Sequence, residues 1–445
     1  MKPNDLLVEK IFAAADAMNE EMITRRRDLH KYAEPGWTEF RTAALVAGEL
    51  TRLGYAVEAG AAVVKREAMM GVPDAGRLEK EMERAIAEGA DPAWVEKMAG
   101  GLTGVTGTLK CAGEGPVVAL RFDMDALDLT ESQEAGHEPA EKGFASIHDW
   151  GMHACGHDGH TTIGLAVAKI LAGLKEELKG TIKLIFQPAE EGVRGACAMV
   201  EAGVVDDADY LLGAHLGMKL PRTGAIAAHI YGMLATTKYD AKFTGVPAHA
   251  GVAPEQGRNA LLAAACATLN LHAISRHSGG TSRINVGKLV AGSGRNVIGD
   301  KALLQLETRG ISTEVNEYVA AEAKRIIKAA ADMYGVKVEI SQAGGAAGAE
   351  NSAALADALT VHARELGIFN EIVEEPIDFG GSEDCSYFMQ RVQNNGGQAV
   401  YLNIGAKLAA GHHDAHFTFD EAALPLAVKV IATSAAGLLT GEIKA

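Results

Sequence analysis

TIKLIFQPAEEG, residues Thr181–Gly192, carries an apolar run that stops at a polar turn marked by proline and glycine. Thr181–Phe186 has the length of a buried strand, and two adjacent acids, Glu190 and Glu191, follow directly after it. The same shape recurs at Val117–Phe122, which runs into Asp123-Met124-Asp125, and at Tyr210–His215, which runs into Leu216-Gly217. A helical stretch over Gly164–Leu174 separates the first two strands in sequence. Strands alternating with helices predict an α/β layer on a mixed, largely parallel sheet. Ligands of such sheets gather beyond the carboxyl ends of the strands, so these strand ends are where chemistry is expected.

Upstream, the pattern predicts a helix from Asn4 towards His30 and a second over Glu39–Leu53, stopped by Gly54. Within 60–104, Leu78, Met82, Ile86, Trp94 and Met98 punctuate a charged background, as in one or two amphipathic helices set into an insertion. The texture changes near Met233. Thr237–Thr244 alternates like a half-exposed strand; a helix over Asn259–Ile274, strands at Arg283–Val290 and Ala302–Thr308, a helix over Val315–Tyr334 and a strand at Val336–Ile340 follow. The order β-α-β-β-α-β is that of a ferredoxin-like α+β sandwich. The expectation is a second domain at 233–345, inserted between 1–232 and 346–445, with Gly344–Gly348 as the return linker.

With 445 residues, 48% of them apolar and 22% charged, the chain can bury sizeable cores. A net charge of -16 offers no basic field for a phosphate backbone, which argues against nucleic acid as a partner. The opening segment, with Glu20, Glu21 and Arg25-Arg26-Arg27, lacks the apolar core of a secretory signal. Apolar runs also stop short of the roughly 20 residues that span a bilayer. A cytoplasmic protein with no membrane association is expected. The five cysteines (Cys111, Cys155, Cys197, Cys266, Cys385) are scattered without C-x-x-C spacing, so they read as free thiols, four of them small buried hydrophobes.

Cys155 differs from the others because of its neighbours. MHACGHDGHT, Met152–Thr161, gathers His153, Cys155, His157, Asp158 and His160 around two glycines. Thiolate, imidazole and carboxylate are the ligands of zinc-like and manganese-like ions. Glu190 and Glu191 could divide the work of binding a cation and taking a proton from water. His215, and His412-His413 near the C-terminus, add imidazoles at two further turns. Asp123 or Asp125 could orient a ligating imidazole. In the 233–345 region, Ala248-His249-Ala250-Gly251, Arg295-Asn296 and Arg309 supply donors suited to gripping a carboxylate.

RFDMDAL (from Arg121), MHACGHDGH, FQPAEEG, the Ala-His-Ala loop with Pro254, Gly257, Asn259 and Ala260, and GSEDCSYF (from Gly381) occur in one order. In this the chain resembles the M20 family of metallopeptidases over nearly its whole length, within the subfamily D branch that cleaves N-acyl amino acids. The resemblance implies a catalytic domain with an inserted lid that also mediates dimerisation, as a homodimer or as a heterodimer with a related B-type subunit. It implies two divalent cations, Mn or Zn, held by Cys155, His157, Glu191, His215 and His413. Cys155 stands where relatives use a bridging carboxylate, and Asp123 where other branches place a ligating histidine. Glu190 is then the general base, Asp125 the acid behind the ligands, and His249 the lid histidine that stabilises the oxyanion, usually in the neighbouring protomer. Asn296 and Arg309 match positions that bind the substrate's α-carboxylate, although the usual Asn-x-Ile-Pro reads Asn296-Val297-Ile298-Gly299 here. Cys385 replaces a usual aromatic. The insertion at 60–104 and the segments TTKYDAKFTG and NALLAAACATL imply p-aminobenzoyl-glutamate as the substrate. Indoleacetyl or benzoyl conjugates, or a non-catalytic partner role for the chain, are the alternatives.

Overall fold

The computed structural model describes residues 3–444. The chain divides into two compact units, one formed by Met1–Tyr231, Glu350–Phe379 and Asp384–Ala445, the other by Gly232–Ala349 with Gly380–Glu383. Each has its own hydrophobic core. Along the chain, the strands begin with β1 (Ala56–Ala59), β2 (Val105–Lys110), β3 (Val117–Asp123), β4 (Thr181–Gln187), β5 (Tyr210–Leu216) and β6 (Ala225–Ala227). After the short β7 (Ile230–Tyr231) come β8 (Ala235–Thr244), β9 (Ser282–Ala291), β10 (Lys301–Gly310) and β11 (Lys337–Ala346). The last three are β12 (Glu371–Val373), β13 (Ile377–Asp378) and β14 (Gln398–Ile404).

In the first unit, eight strands pair in the order β1-β2-β4-β3-β5-β14-β6-β12. The central four, β4-β3-β5-β14, are parallel, and antiparallel pairs extend the sheet on either side. It is thus mixed, with a parallel centre. Because neighbouring central strands run the same way, Asp123, Gln187, Leu216 and Ile404 all end at one edge. The helix His157–Gly173 packs against β3, β4 and β5 and is buried at almost every position. Helix Ala423–Thr440 lies against it. By length and composition Ala423–Thr440 could cross a membrane, but 78% of it is buried inside the fold, as befits a core helix.

The first expected helix is two. Pro3–Ala17 and Asn19–Lys31 are separated at Met18, whose ψ of 4° leaves helical geometry while its side chain enters the core. No glycine or proline marks the break in the sequence. The insertion connects β1 to β2 directly: Ala59 and Val105 are register partners in an antiparallel pair. Its helices, Ala75–Ala87 and Pro92–Lys97, with the residue that follows them, contribute Leu78, Ala85, Val95 and Met98 to the core of the first unit. It is laced to its surroundings by Trp37 Nε1 donating to Met70 O (2.8 Å), Lys65 N to Ala198 O (2.9 Å) and Arg194 Nη1 to Gly71 O (3.3 Å).

The second unit is a four-stranded antiparallel sheet in the order β11-β8-β10-β9, with helices Ala260–Leu271 and Thr313–Met333 in the sequence β-α-β-β-α-β. Tyr239, Ala241 and Phe243 of β8 and Ala302, Leu304 and Leu306 of β10 pack into the same core as the helices. Gly344, Gly345 and Ala346, expected in a linker, continue β11 and pair with Lys238, Thr237 and Thr236 beyond an irregularity after Gln342. Ladder hydrogen bonds come from the backbone, so residues with little or no side chain still complete them.

Candidate metal centre

The helix His157–Gly173 starts at the carboxyl edge of the parallel strands, and Gly156 caps it with φ +90°, a conformation that glycine adopts freely. That turn sets Cys155 and His157 on one cluster of side chains. His157 Nδ1 donates to Asp125 O (2.9 Å) and lies 3.3 Å from Asp125 Oδ1. Its Nε2 is left with the lone pair, buried and with no hydrogen-bond partner, 3.9 Å from Asp123 Oδ2 and 4.0 Å from Glu190 Oε2. His215, at the end of β5, donates from Nδ1 to Leu216 O (2.8 Å) and turns Nε2 to within 3.4 Å of Cys155 Sγ.

After β4 the backbone turns through Ala189 at φ +51°. Asp125 accepts the next two backbone N–H groups, Glu190 N at 3.0 Å and Glu191 N at 2.9 Å. Asp125 therefore orients His157 and the acidic pair together. Glu191 Oε1 is buried without a hydrogen-bond partner and lies 3.4 Å from His413 Nε2. His413 itself has φ +66° and donates its backbone N–H to Ala154 O (2.8 Å).

The ligand atoms of Cys155, His157 and His215 all lie within 4.8 Å of one another, as do those of Cys155, Glu191 and His413. The two triplets share Cys155. Lone-pair atoms gathered so closely, two of them buried without partners, suit cations better than any protein group. Asp123, His157 and His160 form a third close group. There, however, Asp123 already takes Arg121 Nη1 and His160 Nδ1 (2.6 Å each), and His160 Nε2 accepts Leu216 N (3.0 Å). Their capacity is spent on protein partners. His412 likewise turns its Nε2 towards Leu216 O (3.2 Å), away from the role its neighbour can fill.

Electrostatics agree with a centre that wants positive charge. Burial, and then Glu191, push the Cys155 thiol well above its usual range. Burial would lower His157, but Asp123, Asp125 and Cys155 outweigh it and hold its imidazolium well above the ordinary value. His215 is depressed by burial and by the neighbouring His160 and His412. Without a cation, a proton stands in on His157.

Seven of the residues singled out in the sequence meet here, all in the first unit: Asp125, Cys155, His157, Glu190, Glu191, His215 and His413. The other three lie in the second unit. His249 is exposed, its Nδ1 accepting the N–H groups of Gly251 and Val252 (3.2 Å each). Its loop pairs with that of Asn296, through Ala250 N to Asn296 O (2.9 Å) and Ile298 N to Ala248 O (2.9 Å). Arg309, on β10, faces Glu307 (Nε to Oε1, 3.0 Å). Of the other cysteines, Cys385 is buried, whereas Cys111, Cys197 and Cys266 are partly exposed, against the expectation of four buried thiols; all are free. Residues that motif reading passed over are Glu39, Arg121 and Asp384, all fully buried. Only Arg121, an arginine inside an apolar strand, left a signal.

This arrangement has counterparts among known proteins. The chain is 51% identical over 410 residues to one of the subunits of the p-aminobenzoyl-glutamate hydrolase of Escherichia coli, covering 92% of this chain and 94% of that protein. It is 48% identical to the indole-3-acetyl-aspartic acid hydrolase of Enterobacter agglomerans, covering 93% and 95% of the two chains. Among solved structures, an aminobenzoyl-glutamate utilization protein from Klebsiella pneumoniae superposes with a TM-score of 0.82 at 41% identity, covering 95% and 97%. Residues 119–436 match the profile of peptidase family M20/M25/M40, a span that takes in β4, β5, β14, nearly all of β3 and every donor described above. On the strength of that span and of full-length relatives, the chain belongs to peptidase family M20/M25/M40.

Proposed function

We propose that the protein is a two-metal amidohydrolase that cleaves N-acyl amino acids, p-aminobenzoyl-glutamate foremost, to p-aminobenzoate and glutamate. The observation that carries the reading is the pair of donor triplets sharing Cys155, with Glu190 beside them. Cys155, His157 and His215 would hold one cation, and Cys155, Glu191 and His413 the other. The donor set suits Zn, and Mn is also compatible with it. When bound, the cations supply Lewis-acid polarisation of the amide carbonyl and acidify the attacking water. Glu190 takes that water's proton at its carboxylate and hands it to the leaving amine. Asp125 fixes the His157 tautomer and, through the backbone, the origin of both glutamates.

The inserted unit, ferredoxin-like in strand order, serves in this reading as lid and dimerisation domain. His249 then stabilises the oxyanion of a neighbouring protomer, and Asn296 and Arg309 bind the substrate's α-carboxylate. The Escherichia coli relative is named as one of several subunits of its hydrolase, which favours a B-type partner, with a homodimer as the simpler assembly. Cytoplasm is the proposed compartment. The test is release of p-aminobenzoate by purified protein loaded with Mn or Zn, alone and with such a partner; absence of turnover in every combination defeats the proposal. The relative that acts on indole-3-acetyl-aspartic acid supports a second reading, an indoleacetyl conjugate as substrate. Rates across acyl groups at fixed glutamate separate the two.

A further inference from the structure

The loop that joins β4 to the short helix Ala196–Val200 carries both Glu190 and Glu191, and its backbone is unusual. Ala189 and Val193, neither of them glycine, have φ +51° and +58°. Such residues persist in the left-handed region only where their surroundings over-determine them. The loop ends also close tightly, so that a Cβ on Gly195 would stand 1.8 Å from Pro188 O. Internal bonds, Val193 N to Glu190 O (2.6 Å) and Arg194 N to Ala189 O (3.0 Å), are part of what holds it.

The rest comes from three fully buried carboxylates, each from a distant segment. Glu39 Oε1 accepts Ala189 N at 2.8 Å. Asp125 accepts Glu190 N and Glu191 N, as described. Asp384 Oδ2 accepts Gly195 N at 3.1 Å and Ala196 N at 3.0 Å. Behind them stands a further layer of donors. Thr103 Oγ1 donates to Glu39 Oε2 (2.7 Å), and Gln187 Nε2 (2.8 Å) and Arg121 Nη2 (3.4 Å) donate to Asp384 Oδ1.

We propose that Glu39 and Asp384 are positioning residues for hydrolysis, holding the strained loop so that Glu190 and Glu191 project from fixed backbone positions, while touching neither substrate nor cation. This rests on the proposed roles of Glu190 and Glu191.

The two carboxylates differ in what can replace them. At Glu39, glutamine keeps an oxygen for Ala189 N, and its amide can donate to Thr103 Oγ1, a hydroxyl that also accepts. Burial, with Asp125 nearby, pushes the Glu39 carboxyl up to about 8, so near neutrality it is largely protonated and glutamine imitates it. At Asp384 both oxygens face donors only. Asparagine therefore sets an N–H₂ against either Gly195 and Ala196 or Arg121 and Gln187, whichever way it turns.

The experiment uses the full-length, metal-loaded protein and its E39Q, E39A and D384N variants. It measures kcat and KM on p-aminobenzoyl-glutamate, bound metal, and backbone hydrogen exchange over 188–196. E39Q should stay within about threefold of the parent kcat, while D384N and E39A fall about 10- to 100-fold with KM and metal content little changed. Exchange should quicken at Gly195 and Ala196 in D384N, and at Ala189 in E39A. The proposal is overturned if D384N keeps the parent kcat, if E39Q falls as far as D384N, or if faster exchange spreads through the whole unit. Should E39A not fold, T103V replaces it: faster exchange at Ala189 supports the clamp, and parent-like exchange there overturns it. If the parent protein releases no amine from any N-acyl amino acid, the proposed function fails, and the exchange pattern alone then decides about the clamp.

Discussion

The cluster around Cys155 and the loops around His249 are built on opposite principles. In the first, His157, His215, Glu190 and Glu191 are buried, and each is steered by a hydrogen bond to its ring or its backbone, or by both. In the second, His249 and Asn296 are exposed, and their bonds run only within and between their own loops. A buried donor without a partner is costly and so implies a ligand. An exposed donor costs nothing and implies nothing by itself. The chemistry of the first region can accordingly be derived from its geometry, whereas that of the second comes from family resemblance.

Mutations can break this contrast. Glu190→Gln should have the largest effect, about a 1,000-fold loss of kcat with both metals retained; full activity would remove Glu190 from its role. His249→Ala should follow, with about a 100-fold loss if it faces a developing oxyanion. Because His249 is exposed and makes only local bonds, the same change should leave melting temperature and metal content untouched. A drop in metal content on His249→Ala would show that the two regions are not separable in this way. Asp125→Asn should cost about 10- to 100-fold and, unlike His249→Ala, weaken metal binding, read by titration with Zn or Mn.

The smallest effect sharpens the comparison through pH. The folded, metal-free centre keeps the Cys155 thiol protonated, since burial and Glu191 hold its pKa above the ordinary range, and it keeps His157 charged for the reason given above. Cation uptake must expel these protons. Affinity should therefore rise with pH throughout the neutral range, and calorimetry in buffers of different ionisation enthalpy should detect proton release. Binding without proton release would mean that Cys155 is not a ligand.

Much of this was legible in the chain. Val117–Phe122, Thr181–Phe186 and Tyr210–His215 each fall within a strand that extends one residue further, because continuous apolar runs between turn residues leave little choice. The donors of MHACGHDGH and FQPAEEG were visible because metal ligands are chemically distinctive. The break at Met18 was not, since it depends on which side chain the core accepts rather than on a helix-breaking residue. Glu39 and Asp384 were illegible for a different reason. Each acts on backbone N–H groups far away in sequence, 150 residues in the case of Glu39 and Ala189, and a backbone group has no identity to read. Nothing near Asp384 in GSEDCSYF hints that its partners are Gly195 and Ala196.

The antiparallel pairing of Ala59 with Val105 makes the 60–104 segment look disposable, because a tight hairpin turn could join β1 to β2 in its place. Protein engineers shortening the chain would meet little geometric resistance. Yet such a cut would take away Thr103, the partner of Glu39, together with the carbonyls of Met70 and Gly71 that anchor Trp37 and Arg194. The trimmed enzyme would keep its sheet and lose its precision, so the insertion is not a removable module that could be grafted elsewhere.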